Sequence, residues 1–209
     1  MGAMSEKGIP DIIVGRLPRY LRALQWIAQE GQQTTSSQEL GKKLGISAAQ
    51  IRKDLSQFGE FGKQGTGYSV AFLIRQLQQI LKIDQVWDMV LVGAGDLGHA
   101  IARYQGFADC GFRIAMVFDS DPRKIGSTIG DFVIQDTASL VKAVRTAGIT
   151  IAMLTVPANV AQMVVDQLVE ANVHAILNYA PAILKVPEWV HVQYIDPVIH
   201  LQRMTYYLK

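Results

Sequence analysis

An apolar stretch, Val90-Leu91-Val92, runs directly into Gly93-Ala94-Gly95-Asp96-Leu97-Gly98. Few sequence features constrain a fold as tightly. The first glycine permits the tight turn out of a strand, the second lets backbone N–H groups approach a pyrophosphate, and the third lets the following helix pack closely. The pyrophosphate then lies at the positive end of a helix beginning near Asp96. Asp119 closes the next apolar run, 26 residues past Gly93, near the offset at which an acid accepts hydrogen bonds from an adenosine ribose. A carboxylate there repels a 2′-phosphate and favours NAD(H) over NADP(H), whereas Arg123 and Lys124, close behind, suit a phosphate. The plainer alternative is that Asp119 simply opens the turn Asp119-Ser120-Asp121-Pro122.

Apolar runs alternate with helical periodicity through the rest of this half. The pattern predicts strands at 89–92, 113–118, 131–134, 149–156, 174–178 and 190–195, with helices at 97–108, 137–147 and 159–171. Such alternation gives a parallel, doubly wound sheet with right-handed crossovers. Ligands of open parallel sheets bind beyond the carboxyl ends of the strands. The turns Thr155-Val156-Pro157 and Asn178-Tyr179-Ala180-Pro181 therefore either line the remainder of the cleft or merely punctuate strand ends.

About 85 residues of different character come first. They hold 11 Lys/Arg against 7 Asp/Glu, a balance of +4, whereas residues 86–209 hold 9 against 11, a balance of −2. A basic front half joined to a mildly acidic back half suits contact of the front alone with a polyanion. Leu17, Tyr20, Leu21, Leu24, Ile27 and Ala28 recur at helical spacing after Pro18. Ser36-Ser37-Gln38-Glu39 and Ser47-Ala48-Ala49-Gln50 each read as a capping box, separated by a glycine turn at Gly45. Two short helices joined this way describe a helix-turn-helix. In the second, Ile51, Leu55 and Phe58 face the core. Ala49, Gln50, Arg52, Lys53, Ser56 and Gln57 are left outward with Asp54 as the sole acid, a surface suited to phosphates and base edges. The glycine-rich segment 59–70 predicts a β-hairpin wing with Lys63 near its tip. A helix over 71–81 with a Gln-rich polar face connects the halves. An ordinary helical bundle with a solvated basic face is the alternative.

No run of 18 uncharged apolar residues marks a membrane span, and the N-terminal residues lack the apolar stretch of a secretion signal. One cysteine, Cys110, cannot form an internal disulfide or a multi-cysteine zinc site. These features give the expectation of a cytoplasmic protein without metal. His99, His174, His191 and His200 fall into no catalytic constellation, and Cys110 has no base nearby in sequence. Little chain remains for a substrate domain. The segment 196–208 is an amphipathic helix with a broad apolar face, which packs on its own domain or on a partner subunit.

Thr35-Ser36-Ser37, Ile51-Arg52-Lys53-Asp54-Leu55-Ser56, Phe58-Gly59 and Gly65-Thr66-Gly67-Tyr68 are the first group of matching segments. Gly93 to Gly98, Phe118-Asp119, Leu154-Thr155-Val156-Pro157 and Ile176-Leu177-Asn178-Tyr179-Ala180-Pro181 are the second. With these segments the chain resembles the Rex family of bacterial redox-sensing transcriptional repressors over nearly its whole length. The resemblance implies a winged helix-turn-helix at 1–85, a Rossmann-type NAD(H)-binding domain at 86–195 and a dimerisation helix exchanged between subunits at 196–209. It implies a homodimer that is not an enzyme. Such a dimer holds double-stranded operator DNA when NADH is scarce and leaves it when NADH binds, with NAD+ as competing ligand. The implied cofactor residues are Gly93, Ala94, Gly95, Asp96, Leu97, Gly98, Asp119, Val156, Pro157, Asn178 and Ala180, with Tyr104 and Asp196 near the nicotinamide. The implied DNA-binding residues are Ser47, Gln50, Arg52, Lys53, Ser56 and Lys63, and Arg22 reaches across the domain junction. Two other readings stay open from the residues alone. One is an enzyme or CoA-type nucleotide binder with an accessory helical domain; the other is a regulator answering a different metabolite.

Overall fold

The computed structural model describes residues 8–61 and 67–208, so Lys63 lies outside the described residues. The chain divides into two compact units, Met1–Gln85 and Val86–Lys209.

In the first unit, α1 (Asp11–Val14) leads into α2 (Leu17–Gln29), whose apolar stripe Leu17, Tyr20, Leu21, Leu24 and Ile27 is buried. Pro18 sits in the first turn of α2, where its missing N–H costs no hydrogen bond. β1 (Thr34–Thr35) precedes α3 (Ser37–Leu44) and α4 (Ala48–Leu55). Gly45 ends α3 in the left-handed conformation at φ 67°, which turns the chain within two residues into the Ser47 cap of α4. Both serines cap as expected: Ser36 Oγ accepts from Glu39 N at 3.1 Å and Ser47 Oγ from Gln50 N at 3.2 Å. The return halves of the boxes go elsewhere. The Glu39 carboxylate accepts from Thr35 Oγ1, and Gln50 donates to Asp54.

The expected wing differs in its pairing. β2 (Tyr68–Ser69) runs antiparallel to β1 upstream of the helix pair, Thr35 opposite Tyr68, rather than folding back on 58–61. Phe61 is buried in the helical core and so does not serve as a strand residue. α5 (Val70–Ile80), capped by Ser69, closes this core with Val70, Leu73 and Leu77.

The second unit is a seven-stranded sheet. Its strands are β3 (Trp87–Val92), β4 (Phe112–Asp119), β5 (Thr128–Ile129), β6 (Phe132–Asp136), β7 (Ile151–Leu154), β8 (Ala175–Asn178) and β9 (His191–Tyr194), in the order β5-β6-β4-β3-β7-β8-β9. All pairings are parallel except β5 with β6. Without the short β5, this is the doubly wound dinucleotide-binding order, which reverses between β3 and β7. Met89 and Leu91 pack on one face, with Ile101 of α6 (Asp96–Ala102). Val90 and Val92 pack on the other, with α7 (Leu140–Ala147) and α8 (Ala158–Glu170).

Several boundaries shift from expectation, among them the strand expected at 149–156, which runs Ile151–Leu154, and one short strand is new. The helix expected over 97–108 ends at Ala102 and resumes as a 3-10 turn over Gln105–Cys110. The antiparallel β5 carried no period to reveal it, being two residues long. The segment 196–208 forms α9 (Pro197–Thr205), with no buried residue.

Candidate functional site

The glycine loop lies at the point where strand order reverses, and three contacts fix it. Gly93 N donates to the Phe118 carbonyl at 2.8 Å, Thr155 Oγ1 donates to the Gly93 carbonyl at 2.8 Å, and Ala94 N donates to Asp119 Oδ2 at 2.7 Å. Gly93 has φ 106°, and a Cβ there would stand 2.7 Å from the Thr155 carbonyl oxygen. A Cβ on Gly98 would run into the Gly93 carbonyl. Both positions require glycine for packing. Gly95 is different: a Cβ there would meet nothing within 4 Å. The space over Gly95 is open, and the first-turn amides of α6, which by helix geometry have no intrahelical acceptor, border it. That is a cradle of the size and polarity that a pyrophosphate fills.

Around it runs a cleft of about 520 Å³ lined by Gly93, Gly95, Asp96, Leu97, Asp119, Lys124, Val156 and Pro157, among others. Asp119 stands at the carboxyl end of β4, 9% exposed. Burial opposes its ionisation. The amides of Asp121 and Ala94 and the Lys124 ammonium outweigh that and hold its carboxyl below the ordinary carboxylate range. Asp119 is thus an ionised acceptor fixed on the rim of the cradle, and it also opens the Asp119–Asp121 turn. The turn-opening role is the one of its two sequence readings that these contacts display.

A second hollow, of about 640 Å³, lies at the ends of β8 and β9. Asn178, Tyr179, Ala180, Pro181, Ile195, Asp196 and Ile199 line it. The buried Asn178 side chain is fully engaged in its own loop, accepting from Ala180 N and donating to the carbonyls of Ala180 and Ala182. It shapes the loop, and the loop backbone and apolar side chains face the hollow. Asp196 caps α9, accepting from Val198 N at 2.9 Å. Tyr104 lines neither hollow. It follows α6, packs edge-on against Phe107 with ring centroids 5.0 Å apart, and borders a third depression with Phe112 and Phe132. Within one chain the structure therefore does not bring Tyr104 together with Asp196. Arg22 lies on α2 with its guanidinium 5.8 Å from the Trp26 ring.

On α4, Ser47, Arg52, Lys53 and Ser56 are exposed and Gln50 is half-buried. Arg52 donates to Ser37 Oγ at 2.9 Å, tying α4 to the start of α3. Asp54 corrects the sequence reading, which placed it outward. It is fully buried, and its carboxylate accepts from Arg16 Nε at 2.6 Å, Arg16 Nη2 at 2.7 Å, Tyr20 Oη at 2.6 Å and Gln50 Nε2 at 2.7 Å. Burial opposes its charge, but these donors hold it below the usual carboxylate range. Tyr20, buried and facing Asp54, is pushed up to about 12. The outward face of α4 consequently presents no acid, a cleaner cationic and hydrogen-bonding surface than the sequence reading gave.

Comparison with known proteins finds matches to both units of the chain. A family model for a CoA binding domain matches residues 84–182, and one for a putative DNA-binding protein N-terminus matches residues 8–56. A redox-sensing transcriptional repressor Rex from Chloroflexus aggregans is 55% identical over 199 residues, covering 95% of this chain and 94% of the relative. The chain belongs to the Rex family. A Rex from Streptomyces coelicolor is 42% identical over 98% of this chain and 80% of its own. The crystal structure of the Rex-family repressor RSP in complex with NAD+ and operator DNA superposes with a TM-score of 0.91 at 37% identity, covering 97% of this chain and 94% of RSP. RSP in complex with NADH gives 0.89 at 35%, with coverage of 97% and 95%. Rex proteins are transcriptional repressors, so the Rossmann-type unit here belongs to a regulator rather than an enzyme. Among the described residues, no helix is long and apolar enough to cross a membrane and no group of three His, Cys, Asp or Glu side chains is placed to hold a metal.

Sequence reasoning put Thr155 in a turn at the cleft but gave it no role. Its hydroxyl pins the glycine loop from across the strand-order reversal. The signal available was its place directly after the β7 run, the strand end that must face the loop in this topology.

Proposed function

We propose that this Rex protein is a cytoplasmic homodimer that holds operator DNA through α4 and releases it when NADH occupies the cleft of its second unit. The observation carrying this reading is the open cradle over Gly95, flanked by the fixed Asp119 carboxylate, in the same chain as a helix-turn-helix whose exposed face carries Arg52 and Lys53. The pyrophosphate takes the cradle and Asp119 the adenosine ribose. The nicotinamide end reaches the hollow bounded by Ala180 and Asp196. NADH supplies a neutral ring where NAD+ brings a positive one. The lining of Tyr179, Ala180, Pro181 and Ile199 disfavours burial of the charged form. Asp196, the one carboxylate there, directs its charge at the N-terminus of α9.

The dimer reading rests on α9. Val198, Ile199, Leu201 and Met204 are 54–62% exposed, a strip of apolar surface that a second copy covers. Two copies place two α4 helices on half-sites about 34 Å apart, one turn of DNA. Ligand preference becomes DNA release if NADH binds the operator-incompetent state more tightly. Two sites coupled by about 2 kcal/mol each change operator affinity by about a thousandfold.

The test is a gel shift on a palindromic promoter fragment with NADH titrated in. The expected result is loss of the retarded band. Retention at saturating NADH, or turnover of a 2-hydroxy acid or aldehyde with NADH, contradicts the reading.

A further inference from the structure

The Asp119 carboxylate offers about four lone-pair positions, and three are already filled. Oδ2 accepts from Ala94 N at 2.7 Å and from Lys124 Nζ at 3.1 Å, and Oδ1 accepts from Asp121 N at 2.8 Å. One position on Oδ1 is left. A carboxylate that receives both hydroxyls of a ribose diol needs two. This Asp119 can take one hydroxyl without releasing the glycine loop, so the second needs another partner.

Of the two basic residues in the loop, Arg123 is turned away. Its guanidinium pairs with Asp121, Nε at 3.0 Å and Nη2 at 2.8 Å, and it does not line the cleft. Lys124 does, and it is the one cation among the described residues that line it. Its side chain is 37% exposed and its ammonium has three N–H donors, one of them used on Asp119. A donor beside a half-filled acceptor is the pair that a vicinal diol satisfies.

We infer that Lys124 is a ligand-binding residue, donating to one hydroxyl oxygen of the adenosine ribose while Asp119 accepts from the other. The inference rests on the NADH reading above and adds a residue to it. Lys124 also keeps Asp119 drawn toward Ala94, so that the ribose site and the pyrophosphate cradle are held as one unit.

Fluorescence titration of the full-length protein with NADH and with its adenosine 2′-deoxy and 3′-deoxy analogues tests it, on the wild type and on Lys124→Met and Lys124→Arg. A hydrogen bond to a charged group is worth about tenfold or more in affinity. The expected result has four parts: wild type loses about tenfold with each deoxy analogue; Lys124→Met loses about tenfold for NADH; that variant no longer distinguishes NADH from one of the analogues; and Lys124→Arg stays within a few fold of wild type. The inference is overturned if Lys124→Met binds NADH within twofold of wild type, or if it discriminates against both analogues as wild type does. Wild type indifferent to both hydroxyls overturns it as well. Wild type that binds no NADH at all removes the functional reading itself. Melting temperatures of the variants show that the fold is intact, since Lys124 is a part-exposed residue outside the core.

Discussion

Replacing Asp54 with asparagine keeps the shape of the side chain and removes its charge, at a site with 0% exposure and four donors pointed at two oxygens. The amide has a single acceptor oxygen, and its NH2 group must face a donor from Arg16, Tyr20 or Gln50. One N–H or O–H is then buried without a partner, and the Arg16 guanidinium, whose side chain is 19% exposed, loses its counter-charge. Breaking a buried pair by removing one partner costs about 3–5 kcal/mol, a large share of the roughly 5–15 kcal/mol that holds a domain folded. At about 4–8 °C per kcal/mol for a domain of this size, the loss of about 3–5 kcal/mol lowers the melting transition of the first unit by roughly 12–40 °C. Calorimetry reads the shift, and hydrogen exchange over 48–55 locates it. The second unit contains none of these groups, so NADH titration is expected to be unchanged. Acid acts in the same direction. The folded carboxyl lies below its ordinary value of about 3.9, so its contribution is complete above that pH and is lost as pH falls through the lower folded value. Asp54→Asn abolishes that part of the acid sensitivity. A variant melting within 2 °C of wild type with unaltered exchange in α4 would refute the argument.

The glycine loop gives a paired prediction. Gly95→Ala places its Cβ in open space, so the melting temperature holds while NADH affinity drops by tenfold or more. Gly98→Ala drives its Cβ into the Gly93 carbonyl and lowers both, measured by thermal denaturation beside fluorescence titration. Arg52→Ala and Lys53→Ala each weaken operator binding, and each lost phosphate contact flattens its salt dependence by about one unit of log–log slope, with NADH affinity retained; anisotropy at several salt concentrations reads both. If the proposed dimer forms through α9, charged substitutions at the exposed Leu201 and Met204 give a monomer by light scattering and lower operator affinity without unfolding either unit.

What the sequence made legible was whatever local spacing encodes. The Ser36 and Ser47 caps, the Gly45 turn, the glycine motif after an apolar strand and the alternation that builds the sheet depend on neighbours within a few residues. All appear where expected. The reading failed where partners are remote. Asp54 meets Arg16 and Tyr20 at separations of 38 and 34 residues, so its type suggested a surface. Its spacing after Ile51, at i+3 beside Leu55 at i+4, nevertheless put it on the buried face, and that period was the signal to trust over residue type. The strand β2 pairs across the whole helix pair with Thr34 and Thr35, a pairing that no local glycine pattern specifies. Tyr104 and Asp196 line separate depressions of one chain, a separation that no local period encodes.

The account stands on a coupling between two sites in one polypeptide, and one titration addresses it directly. Fluorescently labelled operator is held with the protein at constant total nucleotide while the NADH to NAD+ ratio is swept, and bound DNA is followed by anisotropy. The account predicts that the operator stays occupied under NAD+ alone and is released as the NADH fraction rises, with the response abolished in Gly95→Ala. Occupancy that is flat across the sweep, or that falls equally under NAD+ and NADH, would contradict it.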